Sequence, residues 1–358
     1  MKKVIIIQPV VPQYRLSFFD AVNERGLVNL KVFSSATDML GVKTCEGAFN
    51  RKYFVQLGRF RAFLKCIYWQ KGVTPKIIED VDVVVISGNP RVINHMWIFI
   101  LCKLQKKKVI WWGQGWTAGS RGAGSKIRHW MMKHADGIAL YTEKEESLFP
   151  QHRLAIGLNN GLDVRKIRSK LPKTTSQILD LSELHLCFIG RLTKKSGLEI
   201  LLNSLFNVKR KVKLSIVGDG ELRAECESIS SKLCQKNNVS VIFLGAVYDE
   251  YNIGKITQVS DAFIYPGAVG LSLIHAYAHA LPALVHGDSE NHMPEYAAFR
   301  EGVNGFSIPV EQPLLSQFID ELDILQLKKM KINALKTVEK TFNTEDMADR
   351  FLKIIKKV

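Results

Sequence analysis

The sequence contains no run of about 20 apolar residues, which excludes a membrane-spanning helix by hydropathy. Its N-terminus, MKKVIIIQPVVP, holds only four consecutive apolar residues before Gln8 and Pro9, with no small-residue cleavage site after them. A first buried strand is therefore expected there, not a secretion signal. Six cysteines (Cys45, Cys66, Cys102, Cys187, Cys226, Cys234) form no CxxC pair and no metal-like spacing, so reduced thiols of a cytosolic protein are expected. Acidic residues are scarce: 34 Asp and Glu against 50 Lys and Arg leave a net charge of +16. That excess calls for an anionic partner. No zinc-finger, RRM or KH signature is present, so nucleic acid is not expected, while phosphorylated small molecules and anionic lipid remain. A dinucleotide fingerprint is missing too, because the third glycine of Gly113-Gln114-Gly115-Trp116-Thr117-Ala118-Gly119 is misplaced.

What is present fits a two-domain α/β protein. At 358 residues the chain is too long for one ordinary core. Short Val/Ile/Phe runs, such as Val83–Ser87, Leu184–Ile189 and Ala262–Tyr265, lack polar alternation and read as strands buried on both faces. Helical patterns separate them, and this alternation predicts doubly wound parallel sheets. It pauses once, over the polar, basic Asp163–Glu183, where the interdomain linker is expected. The expected organisation is residues 1–165, residues 166–342, and a helical segment 343–358 returning to the first domain.

Ligands of such sheets bind beyond the carboxyl ends of the strands. The loop Gly190-Arg191-Leu192-Thr193-Lys194-Lys195-Ser196-Gly197 follows a strand and opens a helix. Gly190 permits a tight turn, and Arg191 with Lys194 or Lys195 brings positive charge suited to a pyrophosphate. A second loop, Tyr265-Pro266-Gly267-Ala268-Val269-Gly270-Leu271-Ser272, also ends a strand and starts a helix, offering free amides to an anion. Two positive helix starts in one domain fit the two phosphates of a nucleoside diphosphate. His275 and His279 stand at i,i+4, but HAYAH lacks a glutamate between them and no carboxylate or thiol has an evident ligand spacing, so no metal is expected. His275 is expected to hydrogen-bond ligand hydroxyls or phosphate, and His279 to be structural. Asp80-Val81-Asp82 precedes a strand, the wrong end of the sheet for a ligand.

Two basic, aromatic-bearing stretches bear on lipid. Arg59–Lys71 reads either as a helix lying on an anionic membrane or as a core helix with snorkelling lysines. Arg91–Lys108 reads as a core helix whose lysines precede a strand.

Together, Asn160-Gly161-Leu162-Asp163, Phe188–Leu198, Leu214–Arg223, Val241–Val247, Ser260–Val285 and Met293–Phe306 resemble the retaining group-one glycosyltransferases of GT-B fold, in a form acting on bacterial surface polysaccharides. The resemblance implies two Rossmann-like doubly wound domains facing across a cleft. It implies no cofactor and no catalytic metal, with a UDP- or GDP-sugar as donor substrate. Arg191, Lys195 and Glu295 are then the expected catalytic residues. Gly190, Lys194, Gly267, Gly270, Leu271, Ser272, His275 and His292 join them as donor contacts. Gln13, Tyr14, Arg15 and Gln114 are placed on the acceptor side. The expected acceptor is a growing, lipid-linked saccharide such as O-antigen or capsule, at the inner face of the cytoplasmic membrane. The chain departs from the family where two glutamates with seven residues between them are usual, carrying Gly267 and His275, and where a lysine is usual, carrying Ser196. A catalytically silent homologue that binds a nucleotide or a partner enzyme is the alternative those departures raise.

Overall fold

A computed structural model describes residues 1–64, 67–115, 123–152, 154–173, 181–233 and 235–358. The expectations for Lys65, Cys66, Trp116 and Cys234 fall outside these residues. The chain divides into two compact units, one of residues 1–163 with 343–358, the other of residues 164–342.

The first unit begins with β1 (Lys2–Ile7), α1 (Gln13–Glu24), β2 (Val28–Ser35), the single-turn α2 (Glu46–Phe49) and β3 (Phe54–Leu57). It continues through β4 (Phe60–Leu64), β5 (Ile67–Gln70), β6 (Val83–Ser87), α3 (Ile93–Leu104), β7 (Lys108–Trp112), α4 (Ala123–His134), β8 (Gly137–Leu140) and β9 (Ala155–Gly157). Seven strands form one parallel sheet in the order β3-β2-β1-β6-β7-β8-β9. The apolar residues of β1, β6 and β7 are buried, as continuous Val/Ile runs covered on both faces must be. β4 and β5 form a separate antiparallel hairpin. This corrects the helix expected over Arg59–Lys71. The stretch is rich in aromatic residues, which favour strands, and β4 pairs with β5 from Phe60 opposite Gln70 to Leu64 opposite Ile67.

The second unit holds α5 (Val164–Ser169), β10 (Glu183–Ile189), α6 (Leu198–Ser204), β11 (Lys211–Val217), α7 (Arg223–Leu233), β12 (Val239–Phe243), α8 (Glu250–Val259) and β13 (Ala262–Tyr265). After them come α9 (Leu271–Ala278), β14 (Ala283–His286), β15 (Gly305–Ile308), α10 (Gln312–Glu321) and α11 (Ile324–Lys340). Its parallel sheet runs β12-β11-β10-β13-β14-β15. α5 lies in the stretch where a linker is expected.

The chain then returns to the first unit as α12 (Thr344–Lys357). Asn343 caps this helix through its side chain, and acidic residues fill its first turn, both favourable at the positive end of a helix dipole. Met347, Phe351, Leu352, Ile354 and Ile355 form its buried face, packed in the same core as Phe18, Phe19 and Val22 of α1. Phe351 meets Phe18 edge-on at 5.4 Å between ring centroids, and Arg25 pairs with Glu345 and Asp349. Full burial of such a phenylalanine stabilises by about 2–3 kcal/mol.

Both sheets share a topological feature that places ligands. In the first, the strand order reverses between β1 and β6; in the second, between β10 and β13. Crevices at such switch points, beyond the carboxyl ends of the strands, are where ligands of doubly wound sheets bind.

Candidate active site

At the switch point of the second unit, the loops after β10 and β13 are joined by backbone hydrogen bonds. Gly267 N–H donates to Ser196 O at 3.1 Å, and Ala268 N–H donates to Lys195 O at 2.8 Å. This contact fixes the residue type at both positions. Gly197 has φ of +68°, and a Cβ on it would stand 2.8 Å from Gly267 N. A Cβ on Gly267 would stand 2.1 Å from Lys195 O. A glutamate at position 267 is therefore incompatible with the present closure of the two loops, which gives a steric reason for one of the sequence's departures. The β11 loop braces the pair from the other side: Leu192 N–H donates to Asp219 O, and Leu222 N–H donates back to Leu192 O. Gly218 and Gly220 thus serve the framework.

Ser196, standing at the usual lysine position, is buried and turned inward, its hydroxyl donating to Thr193 O at 2.6 Å. Arg191, Lys194 and Lys195 are exposed on the same loop, so the cationic role can fall only to them there. Beneath the loop, Tyr265 stacks on Phe188 with centroids 4.9 Å apart and planes 6° from parallel. A Cβ on Gly190 would strike the Tyr265 ring at 2.7 Å. Burial pushes the Tyr265 hydroxyl up to about 12, and the charge of nearby Arg191 works against that shift. Tyr265, absent from the sequence-based site, is the floor that sets the height of the arginine loop.

α9 starts at Leu271 with Gly270 as its N-cap, and no side chain caps it. Gly270 offers no capping side chain to the amides of the first helical turn, and the helix adds a positive partial charge there. Glu295 is buried beside this start; a Cβ on Gly270 would lie 3.7 Å from its Oε2.

His292 is placed differently from the expectation of a direct donor contact. Its Nδ1 accepts from Val269 N–H at 3.1 Å, and its Nε2 donates to His286 O at 2.8 Å, so both ring nitrogens are committed within the protein. Burial pushes it down to about 4, which keeps the ring neutral. It stacks between His286 and Tyr296, at 3.7 and 4.1 Å between centroids. His292 is a positioning residue that shapes the 266–270 loop. His275 Nε2 is bonded to Glu250 of α8, at 3.1 Å to Oε2. Its Nδ1 has no protein partner among the described residues, so this is the atom left for a ligand. His279 is fully buried and also reaches Glu250, in keeping with its expected structural character.

The switch point of the first unit carries a pocket of about 280 Å³ lined by Gln8, Pro12, Tyr14, Arg15, Trp112 and Tyr141, with Asp38 at its edge. Arg15 is buried, and its guanidinium stands 4.7 Å from the Trp112 ring, 5.4 Å from Tyr14 and 5.7 Å from Tyr141. Its one polar contact among the described residues is the Met347 thioether at 3.6 Å, a weak acceptor. Gln8 Nε2 and Trp112 Nε1 are buried without a protein partner. Asp38 Oδ1 accepts from the amides of Leu40 and Val42. Of the expected acceptor-side residues, Tyr14 and Arg15 line this pocket, and Gln13 is exposed at the first position of α1. Gln114 lies just beyond β7, outside the pocket lining.

Residues 183–325, the core of the second unit, match the model of a family described as glycosyl transferases group 1. Over those residues the chain is similar to group 1 glycosyl transferases. Among solved structures, the chain is similar to HepE of Anabaena in complex with UDP and glucose, with 14% identity, TM-score 0.68 and full coverage of both chains. It is similar also to the lipopolysaccharide outer core galactosyltransferase WaaB, with 13% identity, TM-score 0.68, and 100% and 99% of the two chains covered. TarM of S. aureus, solved with UDP, alpha-GlcNAc-glycerol and Fondaparinux, matches at 11% identity and TM-score 0.67 over 99% of each chain. These likenesses establish the GT-B fold, with its two Rossmann-like domains. No curated protein matches.

Proposed function

We propose that the protein is a retaining, metal-independent glycosyltransferase that moves a sugar from a UDP- or GDP-sugar to a growing, lipid-linked surface saccharide. The observation that carries this is the junction of the Arg191 loop with the uncapped start of α9, inside the region similar to group 1 glycosyl transferases. There the leaving diphosphate meets exposed cations on one side and the amides of Leu271 and Ser272 on the other. Arg191 and Lys195, with Lys194 as the neighbouring cation, neutralise the charge that builds on the diphosphate as the glycosidic bond breaks. Such preorganised groups accelerate a reaction only to the extent that they favour the transition state over the bound donor. Glu295 accepts from donor hydroxyls, and His275 reaches them through Nδ1. The UDP bound to HepE favours uridine as the base.

The acceptor is assigned to the pocket of the first unit, where Arg15, Gln8 and Trp112 offer N–H donors awaiting acceptors. A polar, anion-bearing acceptor satisfies them, as a phosphate-linked saccharide would. Attachment to the inner face of the cytoplasmic membrane is supported by Arg59, Arg61 and Phe63, exposed around β4, and by the exposed row Ile93, Trp97, Ile100 and Leu104 on α3. β5 adjoins the segment leading into that helix through Tyr68 N–H, which donates to Arg91 O at 2.7 Å. Among the described residues no helix is long and apolar enough to cross a membrane.

The test incubates the protein with a panel of UDP- and GDP-sugars and cell-derived lipid-linked acceptors, and measures nucleoside diphosphate release. Release is expected with one donor, and Arg191→Ala is expected to lower it about 10²–10³-fold. No release from any donor, with Arg191→Ala silent in cells, rejects the transferase. A thermal shift with UDP or GDP but no turnover would instead favour a nucleotide-binding homologue. NMR of the product's anomeric proton decides retention.

A further inference from the structure

The sequence separates Glu250 from His275 by 25 positions, and folding brings them together. His275 and His279 lie one turn apart along α9, and Glu250 is the first residue of α8. Glu250 Oε2 is 3.1 Å from His275 Nε2 and 2.9 Å from His279 Nε2, and the three atoms lie within 4.8 Å of one another. Ligands bound at 2.0–2.1 Å to a tetrahedral ion stand about 3.3 Å apart, so small side-chain movements suffice to admit one.

The Thr257 hydroxyl lies 3.0 Å from His279 Nδ1 and 3.3 Å from Gly254 O, so it can accept from Nδ1–H while donating to the carbonyl, the tautomer that presents Nε2 as a ligand. Thr257 thus supplies the outer hydrogen bond by which metal-binding histidines are held in one tautomer.

We propose that Glu250, His275 and His279 bind a divalent transition-metal ion, zinc above all. Two imidazoles at i,i+4 and one carboxylate select zinc over magnesium or calcium, which prefer all-oxygen sites. His279 is fully buried, whereas the side chains of His275 and Glu250 keep 15% and 22% exposure, leaving a fourth position for water. The ion ties α8 to α9 and holds His275 Nδ1 protonated and outward. Through His275 it bears on the donor contact proposed above, but metal content and cobalt spectra report the ion whereas nucleoside diphosphate release reports that function, so either can fail alone.

The test uses tag-free, full-length protein equilibrated with zinc, dialysed and analysed for metal content, with cobalt(II) absorption reporting coordination. One equivalent is expected in the wild type, with intense visible bands from the cobalt form. Glu250→Gln and His279→Gln are expected to weaken zinc binding at least tenfold. His286→Gln, at the other imidazole pair, is expected to bind as the wild type does. Should His279→Gln fail to fold by circular dichroism, Glu250→Gln and His275→Gln, whose native side chains are partly exposed, decide the matter. Zinc retained equally by the wild type and Glu250→Gln, or none bound by the wild type, overturns the proposal.

Discussion

The two units place their sites at equivalent points of similar sheets, beside β1 and β6 in one and β10 and β13 in the other, yet build them from opposite materials. In the second unit the framework is backbone: two glycines in contact, carbonyls and amides zipped across the loops, and an uncapped helix start. In the first it is side chain: a buried guanidinium among three aromatic rings, with Gln8 and Trp112 donors beside it. A backbone site is damaged by adding atoms and tolerates changes around it. A side-chain site is damaged by removing atoms, and its specificity can drift by substitution.

That contrast can be broken at its strongest point by adding one methyl group. Gly267→Ala places a Cβ 2.1 Å from a carbonyl oxygen, so the two loops must part. Sugar transfer is expected to fall at least 10²-fold, with the thermal shift by the donor nucleotide lost; activity within twofold of wild type would refute a backbone-defined site. Phe351→Ala removes a fully buried ring from the first unit, at an expected cost of about 3–5 kcal/mol. Denaturant unfolding followed by unit-specific probes is expected to show this loss in the first unit alone.

A smaller effect follows from His292. Its folded pKa of about 4 lies below the ordinary histidine value of 6.5, so its contribution to stability is complete above pH 6.5 and is lost as pH falls towards 4. The loss should amount to roughly 2–3 kcal/mol, and His292→Gln should flatten the stability profile across that window. Equal slopes in both proteins would remove His292 as the buried neutral support of the loop. The least disruptive change is Arg15→Met, which keeps the packing and deletes the charge. We expect unchanged or slightly higher stability, because an unpaired buried cation is costly, together with about a tenfold higher KM for the acceptor. The KM for the nucleotide sugar should not move.

Much of this architecture is legible in the sequence because parallel strands buried on both faces must be written as unbroken Val/Ile runs, as in Val83–Ser87 and Ala262–Tyr265. The loops of the candidate site are legible for a similar reason, since Gly190, Gly197, Gly267 and Gly270 stand where a chain bends between strand and helix. Less visible were features set by long-range contact. The hairpin β4–β5 is short, basic and aromatic, and its strands show no clean alternation of apolar and polar residues. Tyr265 reads as one more strand residue until Phe188 and Gly190 close on it. Glu250 carries no local signal toward His275 or His279, because sequence spacing reports neighbours on one helix and never a carboxylate on the next.

The return of α12 to the first unit has a consequence for biosynthesis. Residues 164–342 form a compact unit with its own sheet, so they can fold while the ribosome is still at work. The first unit is translated earlier but waits for residues 343–358 to cover Phe18, Phe19 and Trp112. Until that helix emerges, an apolar face rich in aromatic rings stays open to chaperones or to other nascent chains, and the order of folding reverses the order of synthesis.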